Sequence, residues 1–113
     1  MIYTSYFANY RNFSSEDAVS VARWAPSNFT TGSTCPDLYP PADLLRDYKN
    51  GQVSEEEYIR RYKRDVLAKL NPVTMYKALD RKILLCFEKK GSFCHRNIIA
   101  EWFRFYGYEC EEL

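Results

Sequence analysis

Three consecutive side chains near the end of the sequence, Cys94, His95 and Arg96, are the ones best suited to chemistry. A cysteine thiolate is a strong nucleophile, histidine exchanges a proton near neutral pH, and arginine binds carboxylates and phosphates. The triplet is predicted to form the first turn of a helix that follows a buried strand. The free N–H groups and partial positive charge of that helix end, together with Arg96, favour an anionic ligand and the thiolate form of Cys94.

The elements around the triplet predict an α/β fold. Residues 82–88 (KILLCFE) are nearly all apolar, which is typical of an inner strand in a parallel sheet that is covered on both faces. Residues 93–106 are predicted to form the last helix, with Ser92 as its N-cap, and residues 108–113 a final strand. Open α/β sheets bind ligands beyond the carboxyl ends of their strands, and the triplet falls at such a position.

The rest of the chain is predicted to supply two further strands and three helices. They are, in chain order, strands at residues 2–7 and 19–24 and helices over residues 43–50, from residue 54 onward and over residues 72–79. The pairing of the first two strands is left open. A Pro-rich stretch, residues 25–41, is predicted to be a loop. We therefore predict a single α/β domain over residues 1–113, a small three-layer sandwich of about four mostly parallel strands flanked by helices.

The composition is that of an ordinary globular protein. Of the 113 residues, 46% are hydrophobic and 27% charged, and the net charge is +1. Collagenous and wholly disordered classes are therefore excluded, and the charge indicates neither a nucleic-acid nor a membrane partner. The start of the chain has no signal-peptide pattern, so we expect a complete cytoplasmic protein with no membrane partner. In that compartment all four cysteines are expected to be free thiols. They are Cys35, Cys86, Cys94 and Cys110.

The cysteines could also form a redox pair or bind a metal. Cys86 and Cys94 could form a redox pair, because a strand end and the next helix start can be neighbours, but a reducing cytoplasm favours two thiols. A zinc site that adds His95 and Cys110 lacks the usual C-x2-C spacing, so we expect no metal, and no other cofactor. Neighbouring residues on a helix point about 100° apart, so a base for Cys94 is expected from elsewhere than His95.

The stretch LLCFEKKGSFCHRNIIAEWF resembles the signature of the domain-of-unknown-function family 488, in which a leucine-rich strand precedes Cys, Glu and then Cys-His-Arg. The resemblance extends along the whole chain. The matching residues are Tyr3, Thr4, Arg23, Cys86, Glu88, Cys94, His95, Arg96, Gly107 and Tyr108. Two positions differ: Ser5 stands where many relatives have Gly, and Val21 where they have Asp. The resemblance implies the fold and the positions of a site rather than a reaction.

The function predicted from these residues is the binding of a small anionic ligand (a phosphate, a carboxylate or a nucleotide), and whether it is turned over is left open. The expected catalytic residues are Cys94 and His95, and the expected ligand-binding residues are Thr4, Ser5, Arg23, Glu88 and Arg96. The structural alternative is that Cys94 and His95 are buried core residues with no role in chemistry.

Two alternatives belong to other functional classes. One is a non-enzymatic protein-interaction module that uses the loop of residues 25–41 and exposed aromatic residues. The other is weak nucleic-acid binding through the basic stretch from residue 60 to residue 69, which includes Arg60 and Lys69. That stretch is more simply a solvated helix face, so we do not expect a nucleic-acid partner. A homodimer is left open, because tyrosine is abundant and favoured at interfaces.

Overall fold

The computed structural model describes residues 1–14, 16–29 and 32–113, and a five-stranded sheet lies at its centre. The strands are β1 (Ile2–Tyr6), β2 (Ala18–Ser20), β3 (Ser33–Thr34), β4 (Ile83–Cys86) and β5 (Cys110–Glu112). They lie in the order β3-β2-β4-β1-β5, and each neighbouring pair is parallel. The predicted α/β sandwich is confirmed, with one strand more than expected.

Within the described residues, four α-helices and three short 3₁₀ helices connect the strands. The α-helices are α1 (Ala42–Lys49), α2 (Glu55–Asp65), α3 (Pro72–Leu79) and α4 (His95–Phe105), and the 3₁₀ helices are Phe7–Asn12, Pro36–Leu38 and Leu67–Lys69. Ser54 caps α2, since its Oγ accepts from the Glu57 backbone N–H at 3.1 Å. Asn71 caps α3 in the same way, and Pro72 suits the first turn because it lacks the N–H that would go unpaired there. In the part of the chain that the structure describes, no helix is long and apolar enough to cross a membrane.

The two faces of the sheet are covered differently. Residues that alternate along the strands, such as Leu84 and Cys86, pack with the buried residues of the α-helices. Their neighbours Ile83 and Leu85 point to the other face, where they pack against aromatic side chains. Those side chains are Tyr3, Phe7, Tyr10, Phe13 and Phe29. The third layer is therefore built from a 3₁₀ helix and aromatic rings rather than from a full α-helix.

Three of the differences from the predicted boundaries bear on the site. β2 ends at Ser20, well before residue 24, because the chain turns away from the sheet there. The predicted loop of residues 25–41 contains β3, which pairs with β2, and a 3₁₀ turn; Thr30 and Thr31 lie outside the described residues. Ser92 is not the N-cap of the last helix: Cys94 takes that position in an extended conformation (φ −155°, ψ 148°), and α4 begins at His95.

β1 and β2 do not pair, because β4 lies between them. After β2 the chain continues to β3 on one side, whereas after β4 it passes through α4 to β5 on the far side of β1. The connections thus leave the neighbouring strands β2 and β4 in opposite directions. In an open parallel sheet such a switch point leaves a crevice beyond the carboxyl ends of the two strands.

Candidate functional site

A cavity of about 330 Å³ occupies this crevice. The residues that follow β2 and β4 line it, together with two residues from α1 and one from α4. The lining includes Arg23, Trp24, Phe87, Glu88, Lys49 and His95. A second cavity of about 560 Å³ shares Lys49, Glu88 and His95 with the first and adds Cys94. Both volumes are in the range of small-molecule sites, and the shared residues show that the two cavities adjoin. We refer to them together as the cleft.

His95 lies at the junction of the two cavities and is held in one tautomer. Its Nε2 lies 2.8 Å from the Val21 carbonyl oxygen, which can only accept, so Nε2 carries the proton and Nδ1 keeps a free lone pair. Burial lowers the pKa of His95 to about 4, and the nearby Arg96 charge acts in the same direction, against the opposing effect of the Val21 hydrogen bond. The imidazole is therefore neutral at pH 7.

Cys94 lies directly against this imidazole. Its Sγ is 3.8 Å from Nδ1 of His95. The helical spacing on which the expectation of a base from elsewhere rests does not apply, because Cys94 precedes the first helical residue and has an extended backbone. The Cys94 sulfur and the free nitrogen of a neutral imidazole are thus adjacent.

The sulfur atoms of Cys86 and Cys94 are joined in a disulfide, with Cα atoms 7.3 Å apart. The expectation of four free thiols is wrong for this pair, because the end of β4 and the start of α4 bring the two side chains together. Cys35 and Cys110 are free. Burial raises the pKa of both of these thiols, so neither is activated.

The same neighbours form a group with metal-ligand chemistry. The sulfurs of Cys86 and Cys94 and a ring nitrogen of His95 all lie within 4.8 Å of one another. Among the described residues, Cys110 is not part of this group, so the four-residue zinc set weighed from the sequence does not assemble. While the disulfide is closed, its two sulfurs are not thiolates, and only the reduced protein could offer three ligands.

Arg96 points away from the cleft into the protein. It is 0% exposed and pairs with both Glu112 oxygens, through Nε to Oε1 at 3.1 Å and Nη2 to Oε2 at 2.9 Å. Its Nη1 also donates to the Cys86 sulfur at 3.1 Å and to the Glu88 carbonyl oxygen. Burial by itself raises the pKa of Glu112, but hydrogen bonds from Arg96 and Thr4 outweigh it, and the net effect is to lower that pKa.

Some of the sequence-predicted site residues lie together and others do not. Among the residues that the structure describes, Arg23 and Glu88 line the cleft with Cys94 and His95, whereas Thr4, Ser5 and Arg96 do not. The buried Thr4 hydroxyl donates to Glu112 at 2.5 Å, and the buried Ser5 hydroxyl accepts from the Asn9 amide at 3.2 Å. Trp24, Lys49, Phe87 and Glu112 were not predicted. Trp24 is the last residue of one predicted strand and Phe87 the second-last residue of another, so the rule that ligands bind at strand ends could have found them.

The basic residues of α2 pair with carboxylates on the protein surface. Arg60 pairs with Glu57, and Arg64 lies 2.7 Å from Asp65. Arg61 reaches Asp43 at 3.4 Å and Asp47 at 3.3 Å, both on α1. Such ion pairs are typical of a solvated helix face. The paired carboxylates offset part of the positive charge that could bind a phosphate backbone.

Comparison with family models assigns the chain to a family. Residues 2–107 match the family DUF488-N3a, which is described as the active DUF488-N3 subclade. Comparison with curated proteins found no match. Comparison with solved structures also found none. The family match spans nearly the whole chain and includes both strand ends that border the cleft as well as the Cys-His-Arg turn. The chain belongs to the DUF488 family.

Proposed function

We propose that the chain is a cysteine-dependent enzyme of the cytoplasm that takes a small anionic substrate into the cleft. Cys94 is the nucleophile, His95 its proton acceptor, and Arg23 and Lys49 bind the substrate's charge. Glu88 forms a polar wall.

The observation that carries the proposal is the position of His95 Nδ1. The other ring nitrogen, Nε2, donates a hydrogen bond to the Val21 carbonyl oxygen. Nδ1 lies 3.8 Å from the Cys94 sulfur at the wall of an open cavity. A core histidine with no chemical role has no need to keep a free nitrogen against a sulfur at a cavity surface. The geometry matches a nucleophile whose base is oriented by a third group.

The chemistry begins only after the disulfide is opened. An external dithiol transfers two electrons and two protons, becomes a disulfide itself, and leaves Cys86 and Cys94 as thiols. The Cys94 proton then passes to His95 Nδ1. A thiolate 3.8 Å away favours the imidazolium by about 4 kcal/mol at an effective dielectric constant of about 20, so reduction raises the pKa of His95 above its value in the oxidised protein.

The covalent step follows from this ion pair. The Cys94 thiolate attacks an electrophilic atom of the substrate, and the bond to the leaving group breaks as the leaving group takes the proton from His95. Water then cleaves the bond to sulfur, which regenerates the thiol. Arg96 and Thr4 act from below the site by holding Glu112 and the end of β4 in place.

Thiol labelling tests the nucleophile. After reduction, wild-type protein is treated with iodoacetamide at pH 7 and the labelled cysteines are identified by mass spectrometry over time. We expect Cys94 to react about tenfold faster than Cys35, and His95→Asn to abolish the difference. Without reductant, Cys94 is expected to stay unlabelled, whereas Cys86→Ser should make it reactive in either condition. Equal rates for Cys94 and Cys35 in the reduced wild type would remove Cys94 as the nucleophile.

Thermal shift tests the anion site separately. Inorganic phosphate should raise the melting temperature of the wild type, because a ligand that binds the native state stabilises it. The double variant Arg23→Gln/Lys49→Gln should lose that shift. Arg60→Gln is the matched control, since it removes one positive charge from the solvated face of α2 and should keep the shift. The same shift in all three proteins would show that phosphate does not bind in the cleft.

A further inference from the structure

Two exposed aromatic side chains border the 330 Å³ cavity and have no part in the chemistry described above. Trp24 is 61% exposed and Phe87 is 52% exposed. A single exposed aromatic residue is common on protein surfaces, but two that line one cleft beside a reactive pair form a patch that indicates a binding surface.

The fold places these two rings beyond the carboxyl ends of the two strands that form the crevice. Trp24 follows β2 and Phe87 follows β4, and these strands are neighbours in the sheet. The Phe87 ring contacts Phe7 edge to face, with centroids 5.0 Å apart, so it is supported from the aromatic face of the sheet. Phe87 is therefore held at the edge of the sheet, whereas Trp24 lies in the bend after β2.

Positive charge lies beside the rings. Arg23 is adjacent to Trp24, and its Nε donates to the Pro40 carbonyl at 3.0 Å, which fixes the guanidinium at the cavity wall. Lys49 reaches the same cavity from α1, and the Glu88 carboxylate lies at the rim. A ligand that satisfies all of these groups has a planar ring, an anionic group and a hydrogen-bond donor.

We infer that this ligand is a free nucleoside monophosphate, whose base stacks on Trp24 and Phe87 and whose phosphate pairs with Arg23 and Lys49. Glu88 accepts a hydrogen bond from a sugar hydroxyl or an exocyclic amine. The inference rests on the proposed function, because it names the substrate class of the same cleft. It also explains why aromatic residues remain exposed where the cleft opens, since any base can stack on them.

Calorimetric titration of the reduced protein with AMP, ribose 5-phosphate and adenosine tests this inference. AMP should bind about tenfold more tightly than either fragment, because only AMP has both the ring and the phosphate. Trp24→Leu and Phe87→Leu should each weaken AMP binding about tenfold while leaving ribose 5-phosphate unchanged. Phe105→Leu is the matched control: Phe105 is 82% exposed but lines a different cavity, so AMP binding should not change.

Fluorescence locates the base. The chain has two tryptophans, so in a Trp102→Phe variant the emission comes from Trp24 alone, and AMP but not ribose 5-phosphate should quench it. Equal affinity for AMP and ribose 5-phosphate, with no effect of Trp24→Leu, would overturn the nucleotide assignment and leave the anion site standing. Tighter binding of a four-nucleotide single strand than of AMP would overturn the assignment to a free nucleotide. Binding of none of these probes, with Cys94 still labelled rapidly, would overturn the inference and leave the nucleophile intact.

Discussion

The neighbouring residues His95 and Arg96 have opposite environments. His95 faces the cleft, forms one hydrogen bond to a backbone carbonyl, and keeps a nitrogen free against the Cys94 sulfur. Arg96 faces the interior, and its guanidinium donates hydrogen bonds to Glu112, the Cys86 sulfur and the Glu88 carbonyl oxygen. A side chain that has a free hydrogen-bonding atom beside a cavity can act on a ligand. A side chain whose hydrogen-bonding atoms all have partners within the protein can only hold the structure. The Cys-His-Arg turn is thus divided into a chemical half (Cys94 and His95) and a structural half (Arg96). The Cys86 sulfur contacts both halves, through Cys94 and through Arg96.

Removal of the Arg96 charge is expected to have the largest effect on stability, and it tests this division. Arg96→Met leaves the Glu112 carboxylate, whose side chain is 20% exposed, without its partner, and we expect the free energy of unfolding to fall by about 3 kcal/mol. Urea unfolding measures the loss, and the double variant Arg96→Met/Glu112→Gln should recover part of it. The Cys94 labelling rate of the folded, reduced variant should stay within about twofold of the wild type. A loss of labelling without a loss of stability would place Arg96 in the chemical half.

Acid should weaken the oxidised protein through His95. The pKa of His95 in the folded state is about 4, below the ordinary value of 6.5, so the unfolded state binds a proton first as the pH falls. The contribution is fully present above pH 6.5 and is lost as the pH falls toward 4; between pH 7 and pH 5 we expect a loss of about 2 kcal/mol. Urea unfolding of the wild type and of His95→Asn at both pH values measures it.

The variant lacks the only histidine of the chain, so it isolates this effect from that of the carboxylates. Its stability should fall by about 2 kcal/mol less than that of the wild type between the two pH values. Parallel losses in the two proteins would mean that His95 is not held neutral, and the contrast with Arg96 would then rest on geometry alone.

The smallest expected effect concerns the rim of the cleft. Glu88 is exposed, so Glu88→Gln should change the free energy of unfolding by less than about 0.5 kcal/mol. It removes one negative charge from the cavity wall, and the affinity for inorganic phosphate should rise roughly threefold. Calorimetry with phosphate measures the change. Glu109→Gln, an exposed carboxylate at the far end of α4, is the control and should have no effect; a weaker affinity in Glu88→Gln would mean that Glu88 contacts the ligand directly.

The comparison of sequence and structure shows which parts of the site have local signals. Apolar continuity marked β4 and a helix was expected directly after it, so the Cys-His-Arg turn was assigned to a strand end without any tertiary information. Arg23 and Glu88 were named through the family resemblance. Lys49 and Glu112 have no local signal, because the packing of α1 and the pairing of Thr4 with Glu112 between β1 and β5 are long-range.

The error in the geometry expected at Cys94 has a physical cause. A helical wheel assumes that the helix has already begun, whereas Cys94 is the last extended residue before it. The helix begins at His95, two residues later than predicted, and this shift decides whether His95 points away from Cys94 or lies against its sulfur. The expectation of free thiols came instead from the reducing compartment that was expected for the chain.

The pH dependence of Cys94 alkylation tests the central claim most directly. In the Cys86→Ser variant, with Cys35 as the reference thiol in the same molecule, the rate of iodoacetamide labelling is followed from pH 5 to pH 10. A thiolate paired with the His95 imidazolium predicts an inflection for Cys94 below about pH 7.5, which His95→Asn moves to about pH 8.5 or higher. An inflection near that of Cys35, or one that His95→Asn leaves in place, would contradict the account.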